Sequence, residues 1–225
     1  MWVVPEINGE FVERMEDVLR VYARPYDPKQ PVVCLDERPV VLRDAARAGT
    51  PMRRGRVARS DYEYVRKGTA NVFCVVEPKT GKRLTRATRR RTNRDFARML
   101  LRIVKAYPKA KRIHLVVDNL SSHSENACVE TFGERKGRRL WRRFKVHFTP
   151  KHGSWLNAAE MEASLLGRQC LGKRRIPDLP TLCHEVRAWR RVATCEGMPI
   201  RWKFRVKDAR RLFKYDALKS RRSEH

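Results

Sequence analysis

Two short runs in the chain, VVCLD at residues 32–36 and IHLVVD at residues 113–118, are built alike: the first continuously and the second mostly apolar, each is rich in β-branched residues and closed by an aspartate. A strand alternates its side chains between two faces, so a run with apolar residues at both parities is buried on both. It therefore belongs inside a sheet covered by helices on either side. A single aspartate closing such a run reads first as a solvated turn residue. Two of them shift the balance towards a site, because functional groups in α/β sheets collect at the carboxyl ends of adjacent strands. The expected fold class is therefore α/β, with Asp36 and Asp118 as candidate site residues.

The remaining segments fit around these strands. Residues 9–22 place Phe11, Met15, Val18, Leu19 and Tyr22 on one helical face, and RPYDPKQP then forms a rigid connector, so residues 1–30 read as an N-terminal helix and linker. Residues 43–69 are polar and irregular, with the cations Arg53, Arg54 and Arg56, and read as a long functional loop. Residues 71–77 and 82–90 read as a hairpin turned at Gly81, the second strand exposing almost only arginine and lysine. Thr92 or Asn93 caps a helix carrying Phe96, Met99, Leu100, Ile103, Val104 and Tyr107 on one face, stopped by Pro108. A short helix is expected over residues 125–132. In RKGRRLWRRFK, seven of eleven residues are Lys or Arg. Arg138, Arg139, Arg142 and Arg143 suit phosphate contacts there, and Trp141 either covers apolar surface or stacks on a base. Residues 145–148 read as a strand and residues 181–195 as a helix. The basic amphipathic end, from residue 201, is expected to fray at its last residues.

The segment FTPKHGSWLNAAEMEASLLGRQC, residues 148–170, joins a strand end, a Pro/Gly turn and a helix with Asn157 at its N-cap. Leu156, Ala159, Ala163, Leu166 and Cys170 return to one face at the 3.6-residue period. Glu160 and Glu162 lie on opposite edges of that stripe, and periodicity does not choose between them.

A formal net charge of +27 over 225 residues calls for a polyanionic partner, nucleic acid first. No stretch approaches the roughly 20 apolar residues of a spanning helix, and the N-terminus lacks the basic lead of a secretory signal, so an intracellular, membrane-free setting is expected. The six cysteines form no CxxC and read as reduced packing residues; zinc, which needs four converging ligands, is not expected.

Carboxylates brought from two strands and a helix form an all-oxygen cage suited to Mg²⁺ or Mn²⁺. Two such ions about 3.5–4 Å apart assist in-line displacement at phosphorus. At these residues the chain resembles the catalytic domain of the DDE transposases of bacterial insertion sequences, relatives of the mariner-like elements. The resemblance is carried by VVCLDERPV, DYEYVRKGTANVFCVVEP, HLVVDNLSSH and TPKHGSWLNAAEMEASLLGRQC, four ordered blocks within residues 22–176.

The resemblance implies an RNase H-like mixed sheet flanked by helices, with a catalytic domain at residues 31–176 and a basic helical extension at 177–225 packed on it. It implies Asp36, Asp118 and Glu160 as catalytic and metal-binding residues for two Mg²⁺ or Mn²⁺ ions, since Glu160 closes the family's LN-x-x-E pattern. It also implies cleavage of DNA at the element's terminal repeats and joining to a target, expected to be TA, by a homodimer on DNA in the bacterial cytoplasm at the nucleoid. Asn119, His123, His152 and Asn157 are candidate positioning residues, although a structural hydrogen-bonding role suits the histidines equally. Lys151 and Trp155 are candidate DNA contacts, Trp155 reading better as a buried anchor. Family members often have Thr where Ser122 stands, and the helix-turn-helix that usually recognises terminal repeats has no counterpart in the residues before the connector, so a separate segment is expected to supply it. A non-catalytic nucleic-acid-binding protein derived from a transposase, or a structure-specific nuclease on the same fold, is the alternative.

Overall fold

The apolar run that begins at Val32 does not stop at Asp36. In the computed structural model, which describes residues 7–59, 61–120 and 123–215, strand β1 spans Val32–Ala45. Its first three residues pair in parallel with β4 (Ile113–Val117), in the register Val32↔His114, Val33↔Leu115 and Cys34↔Val116. Beyond Cys34, β1 keeps only its antiparallel partner β2 (Tyr64–Glu77). Asp36 is thus mid-strand, correcting the expectation that it closes the strand, and it lies where β1 parts from β4. Pairing with β2 explains the continuation: the backbone of an apolar-to-polar strand remains satisfied as long as one neighbour persists.

The sheet has five strands in the order β3-β2-β1-β4-β5, with β3 at Lys82–Thr88 and β5 at Phe144–Phe148. The β3 and β2 strands run antiparallel, and β5 runs parallel to β4. The segment expected as an irregular loop at residues 43–69 is largely ribbon. Both strands extend into it, and isolated bridges Thr50↔Arg59 and Arg53↔Arg56 continue the pairing towards its tip. Polar composition hid it, because a two-stranded arm lying off the core has no face that must be apolar. Gly81 turns the β2–β3 hairpin at φ +73°, and a Cβ there would come within 2.6 Å of the Met198 carbonyl oxygen.

Helices cover both faces. On one side α2 (Asn93–Ala106), α3 (Glu125–Phe132) and α4 (Glu134–Trp141) bury Phe96, Met99, Leu100, Ile103 and Cys128 against Val33, Leu35, Phe73 and Val75. Thr92 caps α2 in a reciprocal capping box with Asp95. On the other side α1 (Gly9–Ala23) and the start of α5 (Ala158–Leu166) pack over Cys34, Val76 and Val116. The rest of α5 and α6 (Leu179–Cys195) pack over Val40, Val72 and Cys74. Helix α6 starts at Leu179, two residues before the expected Thr181, because the Asp178 side chain accepts the Thr181 N–H as N-cap. Helix α7 (Val206–Phe213) docks on α1 through Glu16, which accepts hydrogen bonds from Arg210 and Tyr215. Four of the six cysteines are buried, as packing residues should be; Cys183 is half-buried and Cys195 exposed, and all are free thiols. Among the described residues no helix is long and apolar enough to cross a membrane. Ser122 and the terminal residues expected to fray lie outside the described residues.

A buried histidine chain joins β4, β5 and α1: His114 Nδ1 lies 2.9 Å from His147 Nε2, and His147 Nδ1 lies 2.6 Å from the Asp17 carboxylate. That hydrogen bond from His147 holds Asp17 below the usual carboxylate range. Burial, reinforced by cationic neighbours, pushes His114 down to about 4. A histidine depressed in the folded state is protonated first in the unfolded chain, so its stability contribution is present above about pH 6.5 and is lost as pH falls towards 4. The slope is at most about 1.4 kcal/mol per pH unit. Urea unfolding at pH 7 and pH 5 should show this loss, and His114→Gln should flatten it; an equally steep loss in the variant would rule out His114 as the cause.

Candidate active site

Asp36 projects from β1 on the face covered by α5, since it sits opposite Cys74, a residue of the α5–α6 core. Its Oδ1 accepts the Glu37 N–H at 2.7 Å. Burial nevertheless dominates and, with the charges of Asp118 and Glu160 close by, pushes the Asp36 carboxyl up to about 6. Asp118 follows β4 immediately, as expected, on a half-buried position beside β1. Glu160 stands half-exposed in the first turn of α5, where the positive end of the helix dipole favours a carboxylate. The Ser154 hydroxyl lies 3.5 Å from Glu160 Oε1.

The position of α5 is set by two ties, one to strand β1 and one to helix α1. Asn157 caps α5 by accepting the Ala159 N–H at 3.1 Å, while its Nδ2 donates to the Leu35 carbonyl at 2.8 Å, one residue before Asp36. Tyr22, from α1, donates its hydroxyl proton to the Leu156 carbonyl at 2.8 Å and accepts the Ala158 N–H at 3.1 Å. One side chain therefore fixes the helix that carries Glu160 relative to the strand that carries Asp36.

The two glutamates of α5 have separated environments. Glu162 is 2% exposed and paired with Arg83 of β3, Nε to Oε1, at 2.6 Å. Arg83 also donates to the carbonyls of Gly81, Ala193 and Met198. The expectation that β3 exposes its cations fails at Arg83, which is 4% exposed and turned inward to this partner.

Asp118 is held by His123. The ring Nδ1 lies 2.6 Å from Asp118 Oδ1 and 3.1 Å from the Asp118 carbonyl, and Nε2 lies 3.3 Å from Glu37 Oε1. The Nδ1–H is aligned on the carbonyl, so the carboxylate contact is ionic and Asp118 Oδ1 has no hydrogen-bond donor among the described residues. The His123 ring stacks on Phe96 at 4.4 Å between centroids. Burial alone would depress this imidazole, but the carboxylates of Asp118 and Glu37 outweigh it and push it up to about 9. Glu37, alternating to the opposite face from Asp36, is the member of this chain that sequence reasoning overlooked, along with Tyr22 and Arg83. The adjacency Asp36–Glu37 was the visible signal; its meaning needed the partner on another element.

The remaining candidates fall into two groups. Asn119, Lys151 and His152 join Asp118 in lining an open groove of about 610 Å³ against the start of α1. His152 adopts φ +61°, a left-handed conformation uncommon outside glycine, at the tip of the 150–153 turn. Arg53, Arg54 and Arg56 are exposed on the ribbon between β1 and β2. Arg138 and Arg139 are exposed on α4, and Arg142 follows it. Two members of the basic run turn inward: Arg143 donates to the Ala110 carbonyl at 2.6 Å, and Trp141 packs against the α2-side core. Trp155 packs edge-on against Phe204 at 5.7 Å in the α1-side cluster.

Oxygen-only donors, an acceptor atom on Asp118 with no donor among the described residues, and the Asp36 carboxyl raised by burial and then by its neighbours' charge are what a hard divalent cation satisfies. Among the described residues no three His, Cys, Asp or Glu side chains already converge as a ligand set, and Asp118 is drawn towards His123. Sheet order, helices on both faces and grouped carboxylates where β1 leaves β4 define an α/β domain with an acidic centre in a strongly cationic surface. The profile of the DDE superfamily endonucleases matches residues 31–183, and the chain belongs to that family. No curated protein matches it. The fold is similar to that of the Mos1 mariner paired end complex with Mn (TM-score 0.55, 15% identity, 88% of this chain and 61% of that one). It is also similar to the Mos1 Strand Transfer Complex (TM-score 0.54, 15% identity, 85% and 57%) and a pre-cleavage Mos1 transpososome (TM-score 0.54, 16% identity, 88% and 61%). At these identities the likeness establishes the fold, which is RNase H-like. The chain spans about 57–61% of the length of those proteins.

Proposed function

We propose that this chain is the catalytic part of a DDE transposase, which cleaves DNA strands at the ends of an insertion sequence and joins the freed ends to a target, TA by family expectation. The observation that carries the proposal is geometric: Asp36 sits where β1 parts from β4, Asp118 follows β4 beside it, and Asn157 ties the helix that carries Glu160 to the carbonyl just before Asp36. In the reaction a water oxygen, losing its proton, attacks the scissile phosphorus and the P–O3′ bond breaks, freeing a 3′-hydroxyl; that hydroxyl then attacks a phosphorus of the target strand, whose own P–O3′ bond breaks and releases a 3′-hydroxyl that takes up the proton. Asp36, Asp118 and Glu160 would hold two Mg²⁺ or Mn²⁺ ions, which when bound stabilise charge on the phosphoryl oxygens. Asn157 keeps Glu160 in register with Asp36, and His123, itself held by Glu37, orients Asp118. Lys151, His152 and the exposed arginines of the ribbon and α4 hold the DNA backbone. The partners proposed are terminal-repeat and target DNA, a second copy of this chain on paired ends, and a helix-turn-helix segment. Mos1, the structural neighbour, was captured in paired-end and strand-transfer complexes.

The test is Mg²⁺-dependent nicking and joining of terminal-repeat DNA by wild type and Asp118→Asn. Equal activity in both would overturn the catalytic reading, metal-independent binding without nicking would leave a DNA-binding protein, and nicking without joining would leave a nuclease. His123→Asn serves as a probe of positioning. Loss of a group that orients a ligand typically costs 10–100-fold in metal affinity, so the Mg²⁺ concentration for half-maximal nicking should rise by roughly that factor. An unchanged Mg²⁺ dependence would remove His123 from the site.

A further inference from the structure

We propose that a groove between α2, the outer edge of β3 and α6 is a second site for DNA, binding consecutive phosphates of one strand. The groove measures about 520 Å³, and its lining includes Arg86, Arg98, Arg102, Arg187 and Arg190 but no carboxylate. None of the five forms an ion pair among the described residues. They come from three separate segments. Arg98 and Arg102 stand four apart on α2, Arg187 and Arg190 three apart on α6, so each pair shares a helix face. Arg86 rises from β3 opposite Phe73, towards the α2 side. Arginines keep their charge here against mutual repulsion: burial, followed by the charges of Arg86, Arg190 and Arg187, holds Arg102 below its ordinary value.

Protecting the free edge of β3 against strand pairing would need a charge on the strand itself. It does not call for two facing pairs on the helices at either side. Planar guanidinium forks in two rows match a line of phosphates. Thr85, at the groove floor, pairs with Cys74, which pairs with Asp36, so the floor is level with Asp36 and two strands, or about 10 Å, away. Measured through the sheet, that is far less than the roughly 34–36 Å of one duplex turn, so the groove and the carboxylates lie within the span of one turn of duplex.

This site rests on DNA being the substrate proposed above, but it is tested by binding alone. Affinity of a long duplex is measured against salt concentration with chelator present, for wild type, Arg102→Gln/Arg187→Gln, and a control losing two exposed lysines of the connection between α2 and β4, Lys109→Gln/Lys111→Gln. Loss of two phosphate contacts should lower the slope of log K against log salt by about 1.8, with Arg102→Lys/Arg187→Lys retaining it and the control close to wild type. Should the first variant unfold, as read by melting, Arg98→Gln/Arg190→Gln asks the same question. A slope equal to wild type, or an equal loss in the lysine control, overturns the proposal. Inorganic tripolyphosphate raising the melting temperature of wild type only, with superimposable DNA slopes, would assign the groove to a small oligophosphate and overturn it equally. Because no metal or cleavage is involved, inactivity of the carboxylates would leave the binding result intact.

Discussion

Asp118→Asn is expected to lower Mg²⁺-dependent strand nicking by about 10³-fold or more while leaving the fold in place. Asparagine keeps the shape of the side chain, and His123 Nδ1 can still donate to the backbone carbonyl of residue 118, now 3.1 Å away. What disappears is one negative charge beside Asp36, whose carboxyl is raised first by burial and then by the charges of Asp118 and Glu160. Charge stabilisation at the transferring phosphoryl group is worth several kcal/mol, and about 1.4 kcal/mol corresponds to each factor of ten. The sign of the effect on binding is opposite: removing an acid that faces phosphates should leave DNA affinity in chelator unchanged or tighter. Gel assays of nicking at saturating Mg²⁺, paired with anisotropy titrations in chelator, separate the two effects. Parallel loss of nicking and of metal-free binding would mean that Asp118 supports structure and not chemistry.

The largest stability effect is expected at the buried pair beneath α5. Arg83→Met leaves Glu162, 2% exposed, with its cationic partner gone, and also abandons three backbone carbonyls that Arg83 now satisfies. Breaking a buried pair from one side costs about 3–5 kcal/mol. For a chain of this size, about 2–4 °C of melting temperature accompanies each kcal/mol, so a fall of roughly 6–20 °C should appear in a thermal melt. Arg83→Met/Glu162→Leu should recover part of the loss, because no charge then remains buried. Because α5 carries Glu160, nicking by Arg83→Met should also fall at temperatures where the variant is still folded. A melting temperature within about 2 °C of wild type, less than 1 kcal/mol on that scale, would show that the pair does not fix the helix.

Most of the sheet was readable because its strands had to be apolar. The runs at residues 32–35 and 113–117 announced two neighbouring interior strands, and the helical stripes of α1, α2 and α5 announced which faces they bury. The ribbon at residues 46–63 was not readable, since its strands satisfy hydrogen bonds without burying a face. The end of β1 was misplaced for a related reason: polarity after Asp36 marks the loss of β4 as a neighbour, not the loss of strand conformation.

The acidic centre divides in the same way. Periodicity put Glu160 and Glu162 on opposite edges of one helical stripe and stopped there, leaving the choice to family resemblance. The folded chain separates them physically, because β3 delivers Arg83 from 79 residues away in sequence to neutralise Glu162, while Asn157 bonds the carbonyl before Asp36 and leaves Glu160 half-exposed above it. Similarly, sequence supplied Asp118 and His123 five residues apart, but only tertiary structure brought in Glu37 as the second carboxylate on that imidazole. By itself the sequence determined which segments are buried strands and helices, that the surface is cationic, and which acids were available. Tertiary structure decided that Glu162 is paired with Arg83 while Glu160 stays half-exposed, because the free energy of a carboxylate depends on the charges and burial around it, and those are brought together only by long-range packing.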